Sequence, residues 1–457
     1  MAITILAVGL LIFFGHFLAG FFERTKVPDV LVLMLAGILL GPVFHVVEPA
    51  DFGKVGAVFT TLALIIILFE GGIHLNVRAL GSAAADTLTV TLATMAVTVL
   101  LLSHVADLLL PIDFATALFV GTVLGGTSSA VVVPLLRVLK PSAVPSTVLF
   151  LESALTDVLV IVLALGLLQA MQAGGLEALG AGALAADIGK SFLIAGLVGA
   201  AGAFVWSAIL DRVRQLPNTV FTTLAYVFIL FGLTELWGYS GAIAALTFGI
   251  AVANFPNIPD RMFGKIFSFR LAAFAEHERS FFGEAVFLVK TFFFVYLGVS
   301  ITFSDWRAVA IGLVLGLGAF VARAPIVRLL GNPTTTSRRD AGLMTVLVPK
   351  GLASAVMASL PLQAGLAGGE LIQGTVYAAI FFSIIACAAL VVIVERGTLD
   401  VILRRWFRKF PESVAAPEAQ TEPAAPDVQL SPFETGLLEP NPIREIDEDD
   451  PELPPIS

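Results

Sequence analysis

Val123-Leu124-Gly125-Gly126-Thr127-Ser128-Ser129-Ala130-Val131-Val132-Val133-Pro134 breaks an apolar run with two glycines, three hydroxyls and a proline. Far downstream, Leu347-Val348-Pro349-Lys350-Gly351-Leu352-Ala353-Ser354-Ala355-Val356 has the same character: a Gly/Pro-interrupted middle, a hydroxyl, then Ala-Val. Glycine and proline are the poorest residues for a helix interior, so each stretch predicts a helix that unwinds midway. Unwound backbone exposes N–H and C=O groups, which a membrane tolerates only around a buried or watered cavity. Paired interrupted helices at corresponding places in two halves of a chain are the best sequence pointer to a transporter's binding site at the bilayer midplane. Small residues also let membrane helices pack closely, but the matched positions favour a site.

The surroundings of both breaks are those of a membrane protein. The chain has 457 residues, 58% hydrophobic and only 13% charged, with a mean hydropathy of +0.95. Soluble domains carry about 25% charged residues. Continuously apolar runs of roughly 20 residues, each long enough to cross a hydrocarbon core, recur to about residue 395. Barrel strands would alternate apolar and polar instead. The expected fold is therefore an all-α polytopic membrane protein. Its first run has no basic n-region and no cleavage site and reads as a retained helix. The one cysteine, Cys387, lies in an apolar run, so no disulfide framework is expected. Residues 1–410 form the transmembrane domain. Residues 411–457, rich in Pro, Glu and Asp, carry much of the acid behind the net charge of -9 and read as a disordered cytoplasmic tail.

About thirteen spans are expected, with cores at 3–22, 28–47, 53–73, 83–110, 113–139, 145–172, 186–210, 218–237, 239–255, 281–303, 306–330, 338–363 and 371–394. The 26 Lys and Arg residues test this division. Loops after odd-numbered spans, with the tail, hold 20 of them; loops after even-numbered spans hold 3. Such a split matches the positive-inside rule for one topology, with the N-terminus outside and the C-terminus cytoplasmic. Spans 1–6 and 8–13 then form an inverted repeat, with the two discontinuous helices in equivalent places and span 7 as connector.

Three basic residues remain inside spans: Lys290, Arg323 and Lys350. The intramembrane acids singled out are Glu70, Glu152 and Asp157. Ionisable groups at this depth are costly and usually functional. Glu152 and Asp157 are five residues apart, about 140° around a helix, so they face different neighbours. A dehydrating Na⁺ or K⁺ wants hard oxygen ligands. Thr127, Ser128, Ser153, Thr156 and Asp157 supply them if span 6 crosses the break in span 5. A membrane-embedded carboxyl that holds either a proton or a cation, never both, is the minimal machinery for exchange. The plain alternative is a buried ion pair of Asp157 with Lys350 or Lys290. For Glu152 a structural pair with Arg323 is the preferred reading. Glu70 is either part of the site or snorkels to the interface. Lys290 is too central to snorkel, and its partner is left open.

With these residues the chain resembles the monovalent cation/proton antiporter superfamily, in its NhaP-type and Na⁺/H⁺-exchanger branch. Phe-Glu-Gly-Gly at 69–72, Gly-Gly-Thr at 125–127, Glu-Ser-x-x-x-Asp at 152–157, Arg323 and Pro-Lys-Gly at 349–351 carry the likeness over roughly residues 5–395. The resemblance implies an antiporter of Na⁺ or K⁺ against H⁺ in the inner (plasma) membrane, working in pH and cation homeostasis. It implies a homodimer in which a core domain moves elevator-fashion against a fixed dimerisation domain, with no cofactor beyond the transported ions and no nucleic-acid partner. Asp157 would be the shared cation and proton carboxylate, Thr127 and Ser153 would help coordinate the metal ion, and Glu152 with Arg323 would hold the core together. The chain departs from that branch at Thr156, where Asn is usual, at Ser128, where Asp is usual, and at Lys350, where Arg is usual. A single carboxylate at 156/157 resembles the electroneutral type. Lys290 complicates the stoichiometry, and Lys350, an ammonium that loses a proton more readily than a guanidinium, stays a candidate for coupling.

Three rivals differ in class. A ligand-gated K⁺ efflux system of the same fold would bring a nucleotide-binding domain, and no Gly-x-Gly-x-x-Gly unit follows residue 411. An intramembrane enzyme lacks His-Glu-x-x-His or an evident base beside Ser128 and Ser129. A passive channel has no use for one carboxylate among embedded lysines.

Overall fold

The computed structural model describes residues 9–18, 28–48, 53–74, 85–172, 181–215, 221–255, 274–301, 305–398 and 400–413. They form α1 (Gly9–Leu18), α2 (Asp29–Ile38, continued by a π turn over Leu39–Val43), α3 (Gly53–His74), α4 (Ala85–Leu109), α5 (Phe114–Val123), α6 (Ser129–Leu139), α7 (Ala143–Gln172) and α8 (Ala181–Val213). Then follow α9 (Thr222–Leu236), α10 (Gly241–Asn254), α11 (Glu276–Val299), α12 (Trp306–Leu330), α13 (Arg338–Val346), α14 (Leu352–Gln363), α15 (Gly369–Glu395) and α16 (Asp400–Trp406). Among the described residues there is no strand. Each expected span contains helix, and six helices (α4, α7, α8, α11, α12 and α15) are long and apolar enough to cross a membrane outright. Large apolar side chains such as Leu100, Leu108, Val321 and Leu329 lie on the outside, as a hydrocarbon solvent demands and water would not.

Both interruptions are present. α5 stops at Val123 and α6 resumes at Ser129; α13 stops at Val346 and α14 resumes at Leu352. Pro349 has no N–H to give and pushes Val348 away from helical geometry. The two breaks meet: the Ser128 N–H donates to the Pro349 carbonyl at 2.8 Å. Each unwound segment thus supplies a partner for backbone that lipid could not satisfy.

Glycines set the helix crossings. α3 packs along α10 and α2 along α11. A Cβ on Gly249 would strike the Phe69 carbonyl and crowd Gly72, while a Cβ on Gly298 would strike the Met34 carbonyl and crowd Gly37. In the expected repeat α2 corresponds to α10 and α3 to α11, so the two glycine-on-glycine contacts fall at equivalent places. A second body is built from α4, α5, α7 and α12–α15. There α12 lies on α15 through Gly312 and Gly316, and α4 lies on α5 through Gly121. Gly249→Val is expected to push α10 off α3 and cost about 1–3 kcal/mol, the usual penalty for overpacking. Its melting temperature in detergent should fall, while that of Gly71→Ala, whose Cβ meets nothing, should not.

Beyond α15 the chain folds back. Phe407 and Phe410 are buried, and the Arg338 N–H donates to the Pro411 carbonyl at 2.7 Å. Glu412 faces Arg338 at 3.1 Å and Arg404 at 3.5 Å. The acidic segment from 414 onward lies outside the described residues.

Candidate functional site

Asp157 sits on α7 opposite the restart of the first broken helix. Its Oδ2 accepts the Ser129 N–H at 3.2 Å and the Ser129 hydroxyl at 2.6 Å. Ser129 is the first residue of α6, so its N–H has no partner within its own helix, and the positive end of α6 favours an anion. The carboxylate is half-buried, and among the described residues its Oδ1 carries no hydrogen bond. The break itself is latched to α7 alongside, where the Thr127 N–H, two residues before Ser129, donates to Oγ1 of Thr156, the residue before Asp157, at 3.0 Å. Thr127, Ser128, Ser153 and Thr156 are all buried. Ser153 lies four residues before Asp157, on the same face of α7, and its hydroxyl donates to the Phe150 carbonyl at 3.0 Å.

Ser128 does something else. Its side chain lies where a Cβ on Gly351 would go, so it fits the joint between the two breaks rather than facing Asp157. The hydroxyl that touches the carboxylate is that of Ser129, which the motif reading passed over. The available signal was positional: the first residue after a break has a free N–H.

Lys350 is fully buried. Its ammonium donates to the Gly126 carbonyl at 2.8 Å, its N–H donates to Ser383 Oγ at 2.9 Å, and Ser383 belongs to α15. The ammonium therefore caps the unwound end beyond α5, where helix carbonyls point out and a cation is favoured. It lies within electrostatic reach of Asp157, as does the half-buried Glu70 of α3. Among the described residues no ion pair joins Asp157 to a lysine.

Glu152, five residues before Asp157, faces away from it. It forms a two-pronged ion pair with Arg323 of α12, and Arg323 also donates through Nε to the Met344 carbonyl of α13. Both side chains are at most 1% exposed. One guanidinium thereby clamps α7, α12 and α13. Lys290 of α11 pairs with Asp29 at the start of α2, Nζ to Oδ2 at 2.9 Å. Asp29 was not among the acids singled out, because nothing local marks it as facing a lysine 261 positions away. Among the described residues no three His, Cys, Asp or Glu side chains converge. The donors at the breaks are one carboxylate with hydroxyls and carbonyls, a set suited to a hard monovalent ion.

The chain matches the family described as sodium/hydrogen exchanger, transmembrane, over residues 9–396. It belongs to the sodium/hydrogen exchanger family. The resemblance to the monovalent cation/proton antiporter superfamily is thus established, and with it a family of membrane transporters rather than enzymes. Among individual relatives, the K(+)/H(+) antiporter NhaP2 of Shewanella oneidensis is 22% identical over 381 residues, which is 80% of this chain and 62% of that protein. An NhaP2 from another Shewanella strain matches to the same extent. This exchanger-family chain therefore spans less than two thirds of the length of those curated relatives. The structure of the sodium proton antiporter MjNhaP1 from Methanocaldococcus jannaschii at pH 8 has a TM-score of 0.63 at 21% identity, covering 85% of this chain and 99% of that one. An electron-microscopy structure of the same antiporter gives a TM-score of 0.62 at 19% identity. Both share the all-helical fold.

Proposed function

We propose that this chain is a secondary antiporter that exchanges Na⁺ or K⁺ for H⁺, with Asp157 carrying the two ions alternately. The observation that carries the proposal is the position of Asp157: one half-buried carboxylate held by Ser129 at the positive end of a broken helix. A lone anion at this depth is costly, so it crosses neutralised, by a proton or by a cation. The cation is ligated by Asp157 with oxygens of Thr127, Ser153 and Thr156; Ser128 serves the joint of the breaks, and Glu70 adds negative potential within electrostatic reach of Asp157. Lys350 compensates the exposed carbonyl ends, and Lys290, engaged by Asp29, is left out of the ion's path. With one exchanging carboxylate the cycle is electroneutral.

The two glycine-locked bodies support an elevator-like mechanism in which α4–α7 and α12–α15 carry the site past α2, α3 and α9–α11. The charge asymmetry of the loops supports an N-outside, C-cytoplasmic orientation in the plasma membrane, and family likeness supports a homodimer. The names of the relatives divide between Na⁺ and K⁺, so the cation is decided by assay. Proteoliposomes with an acid interior and a ΔpH-sensitive dye should dequench on adding Na⁺ or K⁺, and Asp157→Asn should not respond. Equal responses from the two proteins end the proposal. A rate that changes markedly under an imposed membrane potential ends the electroneutral part alone.

Ser129→Ala keeps the backbone N–H on Asp157 and removes the hydroxyl. Loss of a hydrogen bond to a charged group is worth about 1.5 kcal/mol, so the cation concentration for half-maximal exchange should shift by roughly tenfold. Ser128→Ala, away from the carboxylate, should leave that concentration unchanged.

A further inference from the structure

On the outer face of α12, away from Asp157, an apolar groove of about 490 Å³ runs between Phe320, Val321, Ala324, Pro325 and the Trp406 indole of α16. Directly beyond it a basic pocket of about 330 Å³ is lined by Arg328, Leu329, Arg408 and Lys409, and Trp406 forms a wall of both. Lys409 is fixed by donating to the carbonyls of Leu329 at 3.1 Å and Gly331 at 2.8 Å, at the end of α12. The Arg328 guanidinium lies 4.9 Å from the Trp406 ring centre. Among the described residues neither Arg328 nor Arg408 has a carboxylate partner, although Arg338, Arg339 and Arg404 nearby all do. Three cations thus converge above an apolar slot, with a tryptophan at the boundary.

We propose that this two-part cavity binds one anionic phospholipid. The phosphate sits between Arg328, Arg408 and Lys409, the glycerol region lies against Trp406, and an acyl chain runs along Phe320, Val321 and Pro325. The dimensions agree: Val321 to Arg328 is seven residues of helix, roughly 10 Å along its axis. Trp at a membrane–water boundary with basic residues above it is the arrangement that holds anionic headgroups. The leaflet, cytoplasmic, rests on the orientation proposed above; the binding itself does not. The other anion this chain offers is its own acidic run at Glu445–Glu452. A peptide of that kind matches the basic pocket and leaves the apolar groove, on the membrane face of α12, unfilled. The lipid fills both.

Native mass spectrometry of the whole 457-residue chain in detergent, titrated with phosphatidylglycerol, phosphatidylcholine or soluble glycerol phosphate, tests the assignment. Phosphatidylglycerol should bind preferentially. The double variant Arg328→Gln/Arg408→Gln should weaken it by roughly thirtyfold, from two surface basic contacts. Val321→Trp fills the groove from its exposed side (Val321 is 69% exposed) and keeps every cation; it should weaken phosphatidylglycerol binding at an unchanged melting temperature. Equal binding of phosphatidylcholine, or binding indifferent to both variants, overturns the proposal. Glycerol phosphate binding as well as the lipid would make this an anion site only. A variant with the carboxylates of Glu445, Asp447, Glu448, Asp449, Asp450 and Glu452 changed to amides should bind lipid as the parent does; markedly tighter binding would assign the pocket to the tail. None of these readouts depends on exchange, so failure here leaves the antiport proposal standing, and the reverse.

Discussion

Asp157→Asn is expected to reduce cation-driven proton movement to the level of empty liposomes while the protein still folds. The amide is neutral in every state. It has no negative charge to attract a cation and takes up no proton at physiological pH, so the alternation on which exchange depends disappears. The fold has little reason to suffer. The amide oxygen would still accept the N–H and hydroxyl of Ser129, the two bonds that Asp157 Oδ2 accepts at 3.2 and 2.6 Å. The change is from charge-assisted to neutral hydrogen bonds, and removing a lone charge from a membrane interior offsets that loss. Melting followed by tryptophan fluorescence should therefore shift by only a few degrees, the size expected for about 1 kcal/mol. A variant that melts like the parent and still exchanges would remove Asp157 from the mechanism. The pairing of an intact fold with lost transport is what separates this residue from those that hold the structure together.

Arg323→Ala should do the opposite, with its largest effect on stability. It leaves Glu152, 1% exposed, as an unpaired charge in a membrane protein's interior, and it takes the donor away from the Met344 carbonyl. Breaking a buried pair by removing one partner costs about 3–5 kcal/mol, a large fraction of any membrane protein's margin. The expected result is a much lower melting temperature and a poor yield of monodisperse protein. Replacing both partners at once, Glu152→Leu with Arg323→Met, removes the stranded charge and should recover most of the loss, short of the Met344 contact. A purely structural pair predicts that this double variant regains exchange along with stability. A double variant that is stable yet inactive would instead place the pair in the coupling of proton to cation.

The places where the helices break were legible because they depend on local chemistry. Gly125-Gly126 and Pro349-Lys350-Gly351 disfavour helix whatever surrounds them. The division of labour between Glu152 and Asp157 was legible as well, since five residues on any α-helix turn side chains to different neighbours. The structure accordingly gives them different partners. Which hydroxyl touches the carboxylate was not legible. Thr127, Ser128 and Ser129 are chemically interchangeable donors, and the register at which α6 restarts puts Ser129 on Asp157 and Ser128 on Gly351. The partner of Lys290 was equally hidden, because Asp29 looks in sequence like an ordinary first-turn acid. The glycine pairs 37/298 and 72/249 were present as letters, but in membrane helices glycine is common and only contact shows which ones meet.

The sequence by itself determined the solvent, the helical class, the two interruptions and the small set of ionisable groups that a membrane interior should not hold. Each of these follows from transfer energies and backbone preferences that a residue carries wherever it stands. The tertiary structure alone decided that the two breaks bond to each other, that Lys350 answers a carbonyl rather than a carboxylate, and that Ser129 presents Asp157. Those are pairings across tens to hundreds of positions, 28 for Ser129 with Asp157 and 224 for Lys350 with Gly126. An interaction of that kind forms only where helix packing brings two groups within about 3 Å, and one chain read in order contains no distances.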